Sequence, residues 1–252
     1  MDAIVQAILN LSRLEVKLIR ISDQKPNSFV MELEARVVRT GPISAVLMPM
    51  KVDMVGPKGT FGVAQLPEIK TNPSGTDVHV PPQTIDIVNH EAFEAFVKSI
   101  TLDEQIVLRL DNGKGKIKAL FMTANINYVK DVDIPGMNGA KIEIVKTVPQ
   151  PDGTFKNTIK VINPSPLEID VPYNTFHFVD ETGTVFAEQK GKLYITRGDS
   201  YHEVTGTVKA KNPKGEIHLV GVSVDQDSWM KVTITYFDSV VTLPPEMVSL
   251  TS

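Results

Sequence analysis

Shifted along itself by 124 residues without a gap, the chain comes back into register. Pro42 falls on Pro166, Ile43 on Leu167, Ala45 on Ile169 and Leu47 on Val171. Val52 then meets Phe176, Met54 meets Phe178, Gly59 and Thr60 meet Gly183 and Thr184, and Gln65 meets Gln189. Apolar residues coincide at alternate positions and a Gly-Thr turn returns in place. A repeat of this kind is the mark of a duplicated unit. The period of two inside it restricts that unit to β-structure, because alternate residues of a strand face opposite sides.

The alternation runs through most of the chain. Leu14, Val16 and Leu18 alternate with Arg13, Glu15 and Lys17; Phe29, Met31, Leu33 and Ala35 alternate with Val30, Glu32, Glu34 and Arg36. Asp111-Asn112-Gly113-Lys114-Gly115 reads as the turn of a hairpin between Ile106–Leu110 and 116–127. Further strands are expected near 155–162, 174–179, 183–189, 192–196, 201–210, 215–223 and 229–242. Two segments have helical spacing instead. Residues 2–12 bring Ile4, Ile8 and Leu11 to one side, with Asp2 as a cap. Residues 90–100 follow Asn89 as N-cap, carry Glu91 and Glu94 early, and align Phe93, Phe96, Val97 and Ile100. The expected fold is therefore all-β: two tandem immunoglobulin-like sandwiches with two short helices. The expected divisions are a helix at 1–13, a sandwich at 14–137 carrying the helix 90–100, a Gly-containing joint at 138–145, and a second sandwich at 146–252.

Several short pieces look familiar in order. They are the helix Ala3 to Leu11, the strand end Ile19-Arg20-Ile21-Ser22, Pro26-Asn27-Ser28-Phe29 and Arg39-Thr40-Gly41-Pro42. Leu66-Pro67-Glu68-Ile69-Lys70, Val78-His79-Val80 and the helix around Ala92-Phe93-Glu94-Ala95-Phe96 continue the series. In this stretch the chain resembles an uncharacterised fungal family related to the late-embryogenesis-abundant group 2 (water-stress) sandwich domain. Val161-Ile162-Asn163-Pro164-Ser165-Pro166 resembles the strand-then-Asn-Pro opening of that domain. The resemblance implies the sandwich fold and names no catalytic residue. Relatives of this kind commonly carry an N-terminal transmembrane anchor, and no such segment stands in this sequence.

Composition removes whole classes of function. The 252 residues contain no Cys, which excludes a thiol nucleophile, a Cys-ligated zinc site and an iron–sulfur cluster. A net charge of −4 and a pI near 5.8 argue against nucleic acid as the main partner. No run approaches the ~20 apolar residues that span a bilayer. The chain reads as cytoplasmic, or as one from which an N-terminal anchor was removed.

No motif for a nucleophile, metal or phosphate survives inspection. His90-Glu91 opens like a zinc-protease helix, but Glu94 stands where the second His belongs. Gly113-Lys114-Gly115-Lys116 and Gly56-Pro57-Lys58-Gly59 lack phosphate-loop spacing and read as turns. Asp131 and Asp133 share one strand face and read as solvated. The candidates that remain are apolar or aromatic. Met48, Met50, Tyr173, Trp229 and Tyr236 are the candidate ligand-binding residues. Tyr201 and His202 are the candidate catalytic pair, although neighbours on a strand face opposite ways. Neither a cofactor nor a metal is expected. The function expected first is binding of a hydrophobic small molecule or lipid in a cleft. Two alternatives accompany it. One is a cofactor-independent cyclase, pericyclase (Diels-Alderase-like) or isomerase of fungal secondary metabolism, which needs only a shaped apolar pocket and one or two donors. The other is a structural, stress-protective protein.

Overall fold

The computed structural model describes residues 6, 9–119, 122–139 and 141–252. Ile4 and Ile8 of the expected first helix lie outside them; Gln6 and residues 9–11 are helical. The protein is all-β with short helices, and its chain divides into two compact units. One comprises 1–97 and 105–135, the other 98–104 and 136–252.

The first unit is built from two antiparallel sheets. One contains β1 (Arg13–Lys25), β2 (Ser28–Val38) and β7 (Thr76–Asp86), with β2 in the middle. The other contains β3 (Ala45–Leu47), β4 (Met50–Gly56), β5 (Gly59–Leu66), β6 (Ile69–Thr71), β8 (Gln105–Ala119) and β9 (Met122–Pro135). Long β8 pairs with β3 and β4 on one side and β9 on the other. The alternating apolar residues of both sheets turn inward: Phe29, Met31 and Ala35 from β2, Val52 and Met54 from β4, Val132 and Ile134 from β9 are all buried. Helix α1 (His90–Leu102) starts as its sequence dictates, with Asn89 Oδ1 accepting from the Ala92 amide at 3.1 Å. Phe93 stacks on Phe29 at 5.3 Å, and Phe96 on Phe61 at 4.6 Å between ring centres.

Asn112 and Gly113 do not turn the chain. β8 runs straight past them and is followed by β9 only after Ala119, which pairs with Met122. The ladder slips between Leu110 and Gly113, and Asn112 sits at φ 56°. This is a bulge, and a bulge draws on the same Asn-Gly chemistry as a tight turn. A β-carbon on Gly113 would lie 2.7 Å from that of Tyr128, so glycine is required there by close packing.

The second unit is a single antiparallel ladder with the order β10-β11-β14-β13-β12-β15-β16. Its strands are β10 (Lys141–Pro149), β11 (Thr154–Asn163), β12 (Leu167–Val179), β13 (Val185–Ile195), β14 (Gly198–Val208), β15 (His218–Val224) and β16 (Asp238–Val240). The ladder rolls on itself: the buried amide of Ile142 on β10 donates to Ser239 Oγ on β16 at 3.0 Å. Phe155, Phe176, Phe178 and Phe186 fill the middle and are fully buried.

Three expectations for this half change. Residues 138–145, expected as a joint, contain the start of β10. The break expected near Gly191 is absent; β13 runs through it because Val204 of β14 packs where a β-carbon would stand, 2.6 Å away. The strand expected at 229–242 is helical over half its length, with α2 at Met230–Thr233 and a 3-10 turn at Ile234–Tyr236, and only Asp238–Val240 is a strand. Burial explains the change. Met230, Thr233, Ile234 and Phe237 are the buried positions, spaced three, one and three, which is a helical interval. A last helix, α3 (Pro245–Thr251), follows with Pro245 in its first turn and buries Met247 and Thr251.

Candidate functional site

Between the two sheets of the first unit lies a cavity of about 30 Å³ lined by apolar residues alone. Leu14, Val16 and Ile19 of β1, Met31 and Leu33 of β2 and Val80 of β7 form one wall. Met54, Ala64, Leu66, Leu108, Leu110, Val132 and Ile134 form the other. Strand alternation positions most of them, and on β1 the slip between Val16 and Leu18 brings Ile19 inward out of phase with Leu14 and Val16. Val16 and Leu33 are only half-buried although they line the interior. Beside Val16 the β1–β2 register shifts. The cavity therefore approaches solvent at the middle of β1 and β2. A void of this size holds a water or a methyl group, and its apolar walls leave it dry.

The expected site residues are placed as follows. Met50 is buried in β4 and Met48 is half-buried in front of it, but the methionines that line the cavity are Met31 and Met54. In the second unit Tyr173 is exposed on β12, with its carbonyl accepting from the Asp225 amide at 2.9 Å. Trp229 and Tyr236 flank the helical turn of 230–236 and are half-buried, and the Lys98 ammonium lies 5.9 Å from the Tyr236 ring centre. Tyr201 and His202 part company. Tyr201 projects outward, 60% exposed, while His202 points inward with Nε2 3.1 Å from Ser200 Oγ. Burial pushes the His202 imidazole below its usual pKa, so it is neutral at pH 7. The inward pair is thus Ser200–His202, two residues apart on one face of β14.

Other titratable groups form ion pairs and caps. Glu32, Glu34 and His79 lie close enough to share a cation, but Glu32 Oε2 already takes the Arg20 guanidinium at 2.5 Å. The His218 ring faces Asp238 through Nδ1 at 2.7 Å and Glu216 through Nε2 at 3.2 Å, a protonated ring donates to both carboxylates, and they raise its pKa. Lys130 is buried on β9, where its ammonium donates to the carbonyls of Leu9, Asn10 and Ser12 at the end of the first helix. Two glutamines also act as strand mimics. The Gln6 side chain donates to the Asn127 carbonyl at 2.9 Å and accepts from its amide at 3.1 Å. Gln83 does the same to Gln65 of β5, at 3.0 and 2.8 Å. Each satisfies one residue of an open strand edge. Sequence reasoning missed both, because an isolated glutamine looks the same whether it meets water or a backbone.

The fold defines an all-β protein whose sandwich interior is apolar. Over residues 59–178, a little under half of the chain, it matches a family described as a protein of unknown function (DUF3712). No curated protein matches it. Among solved structures it is similar to the Amycolatopsis orientalis exo-chitosanase CsxA, at 9% identity over 90% of this chain and 26% of that one, with a TM-score of 0.25. It is also similar to CBD12 from CALX1.2, at 12% identity over 92% of this chain and 100% of that one (TM-score 0.23). The red sea bream transglutaminase is 12% identical over 92% of this chain and 32% of that one (TM-score 0.24). The chain spans about a quarter of the length of the chitosanase. No helix among the described residues is long and apolar enough to cross a membrane.

Proposed function

We propose that this protein is a non-catalytic module that takes an apolar ligand, an alkyl chain or comparable hydrophobic small molecule, between the two sheets of its first unit. The observation that carries this reading is the cavity lined entirely by apolar surface, bordered by two half-buried inward residues, Val16 and Leu33. At about 30 Å³ the space accepts one methyl group, so a chain enters by parting β1 and β2 from the sheet below. Met31 and Met54 suit such a change, since an unbranched thioether refits easily around a guest. The resemblance of residues 3–100 to a fungal family related to the water-stress sandwich domain agrees with a binding or protective role, as an analogy of fold alone. Among the described residues no hydrogen-bond donor faces the cavity, and this favours binding over cyclisation, which needs a donor aimed at the reacting carbonyl.

The test is a titration with cis-parinaric acid, whose fluorescence rises on entering an apolar site. Saturable enhancement that weakens several-fold in Val80→Ile, whose added methyl group fills the cavity, supports the reading. The absence of saturation, or equal enhancement in Val80→Ile with its melting temperature retained, overturns it.

A further inference from the structure

The outer face of the first sheet of the first unit carries a histidine beside two glutamates. Strand alternation turns Glu32 and Glu34 of β2 away from the cavity that Leu33, between them, lines. Glu34 lies directly opposite His79 of β7, and Glu32 lies opposite Arg20 of β1. The β2–β7 ladder slips between Met31 and Leu33, so Pro81 and Pro82 flank Glu32 on the β7 side. Proline has no N–H, and these two residues offer Glu32 no backbone donor there. One ligand atom from each of Glu32, Glu34 and His79 lies within 4.8 Å of the other two.

This group differs from ordinary surface charge in how it is paired. The Arg20 guanidinium takes Glu32 Oε2 at 2.5 Å. The other oxygen, Oε1, faces His79 Nε2 at 3.8 Å, beyond hydrogen-bond reach. The neighbouring cations Lys17 and Arg36 are both taken by Asp77, at 2.6 and 3.2 Å. Among the described residues no cation pairs with Glu34. Two carboxylates thus converge on one imidazole although like charges repel and only one of them has a counter-charge.

We propose that Glu32, Glu34 and His79 bind a divalent transition-metal ion, and that the mixed set of one imidazole and two carboxylates selects zinc. The ion supplies the missing counter-charge and bonds to the three atoms that approach one another without bonding among themselves. Three protein ligands leave a fourth position, on the solvent side, for water. Bonds of about 2.1 Å put the ligand atoms of a tetrahedral site about 3.4 Å apart. From 4.8 Å that is a closure of at most about 1.4 Å, within reach of the exposed side chains of Glu34 and His79. Arg20 keeps its bond to Glu32 Oε2 and fixes that carboxylate from behind, as outer partners of metal ligands do. The bound ion ties β7 to β2. It lies on the face of the sheet opposite the cavity, so its failure to bind would leave the apolar-ligand reading intact.

The experiment is equilibrium dialysis of the untagged full chain against zinc chloride, with the visible absorption of added cobalt(II) as a second readout. The expected result is saturable binding of about one zinc per chain and a tetrahedral cobalt spectrum that zinc displaces. His79→Gln and Glu34→Gln should each weaken binding by more than the roughly 10–100-fold that loss of an outer partner costs. Both side chains are exposed, so melting temperatures near wild type establish that the variants fold. His218→Gln, which removes a histidine flanked by Asp238 and Glu216, should leave binding unchanged. The proposal is overturned by the absence of saturable zinc binding. It is equally overturned by binding that His79→Gln and Glu34→Gln retain, which would mean an adventitious ion only, or by binding that His218→Gln abolishes.

Discussion

Replacing Val80 by Ile adds one methylene group to the wall of the cavity. Val80 lies on β7, is 1% exposed and faces the void directly. Burying that group contributes about 0.8 kcal/mol. Filling a void of about 30 Å³ contributes a further ~0.7 kcal/mol at 24 cal/mol per Å³. Imperfect fit of a β-branched side chain on a strand offsets part of this, leaving about 1 kcal/mol of net stabilisation. At this chain length that is a rise of roughly 2–4 °C in the melting temperature of the first unit. Circular dichroism is the appropriate assay, because the only tryptophan, Trp229, lies in the second unit. The same substitution should weaken cis-parinarate binding several-fold, since the guest and the new methyl compete for one space. Gaining stability while losing ligand is the signature of a real void. A destabilisation of 1 kcal/mol or more would mean that the interior is already full, and would refute the reasoning.

Three further outcomes are expected. Lys130→Met leaves three carbonyls at the end of the first helix without their shared donor, and should destabilise the first unit by about 2–4 kcal/mol, with faster hydrogen exchange confined to residues 9–13 and the β9 strand. Asn157→Ala breaks a fully buried chain in which Thr147 donates to Asn157 at 2.7 Å and Asn157 to Gln189 at 2.9 Å; chemical unfolding should show a loss of about 2–4 kcal/mol in the second unit. His218, held by Asp238 and Glu216, should titrate above the usual 6.5 by NMR and return towards it in Asp238→Asn. Because the folded pKa is the raised one, the stabilisation from this pair is complete below pH 6.5 and fades as pH rises through the folded value.

How much of this was legible in the sequence follows from the kind of signal involved. Period-two patterning carried β2 and β11, whose inward ranks are the alternating residues themselves, and Asn89 announced α1; in β1 a slip after Val16 turns Ile19 and Ile21 inward in place of Leu18, and β12 slips likewise between Val171 and Asn174. Residues 229–242 misled because Val232, Thr233 and Ile234 are β-branched and suggest a strand, while the buried set at 230, 233, 234 and 237 repeats at a helical interval. Asn112-Gly113 misled because bulges and hairpins need the same left-handed backbone. The cavity left no trace, since Val16, Leu33 and Val80 read as inward residues whether the space before them is filled or empty. Tyr201 and His202 were correctly expected to face opposite ways, but the partner of His202 inside the fold, Ser200, was not anticipated.

The methionines offer the most direct test of the central claim. Met31 and Met54 line the cavity, whereas Met230 and Met247 are fully buried in the second unit. With 13C-methyl-labelled methionine, a titration with lauric acid should shift the Met31 and Met54 resonances in a saturable way and leave those of Met230 and Met247 in place. Shifts confined to Met230 and Met247, or no saturable shift at Met31 and Met54, would contradict an apolar ligand between the sheets of the first unit.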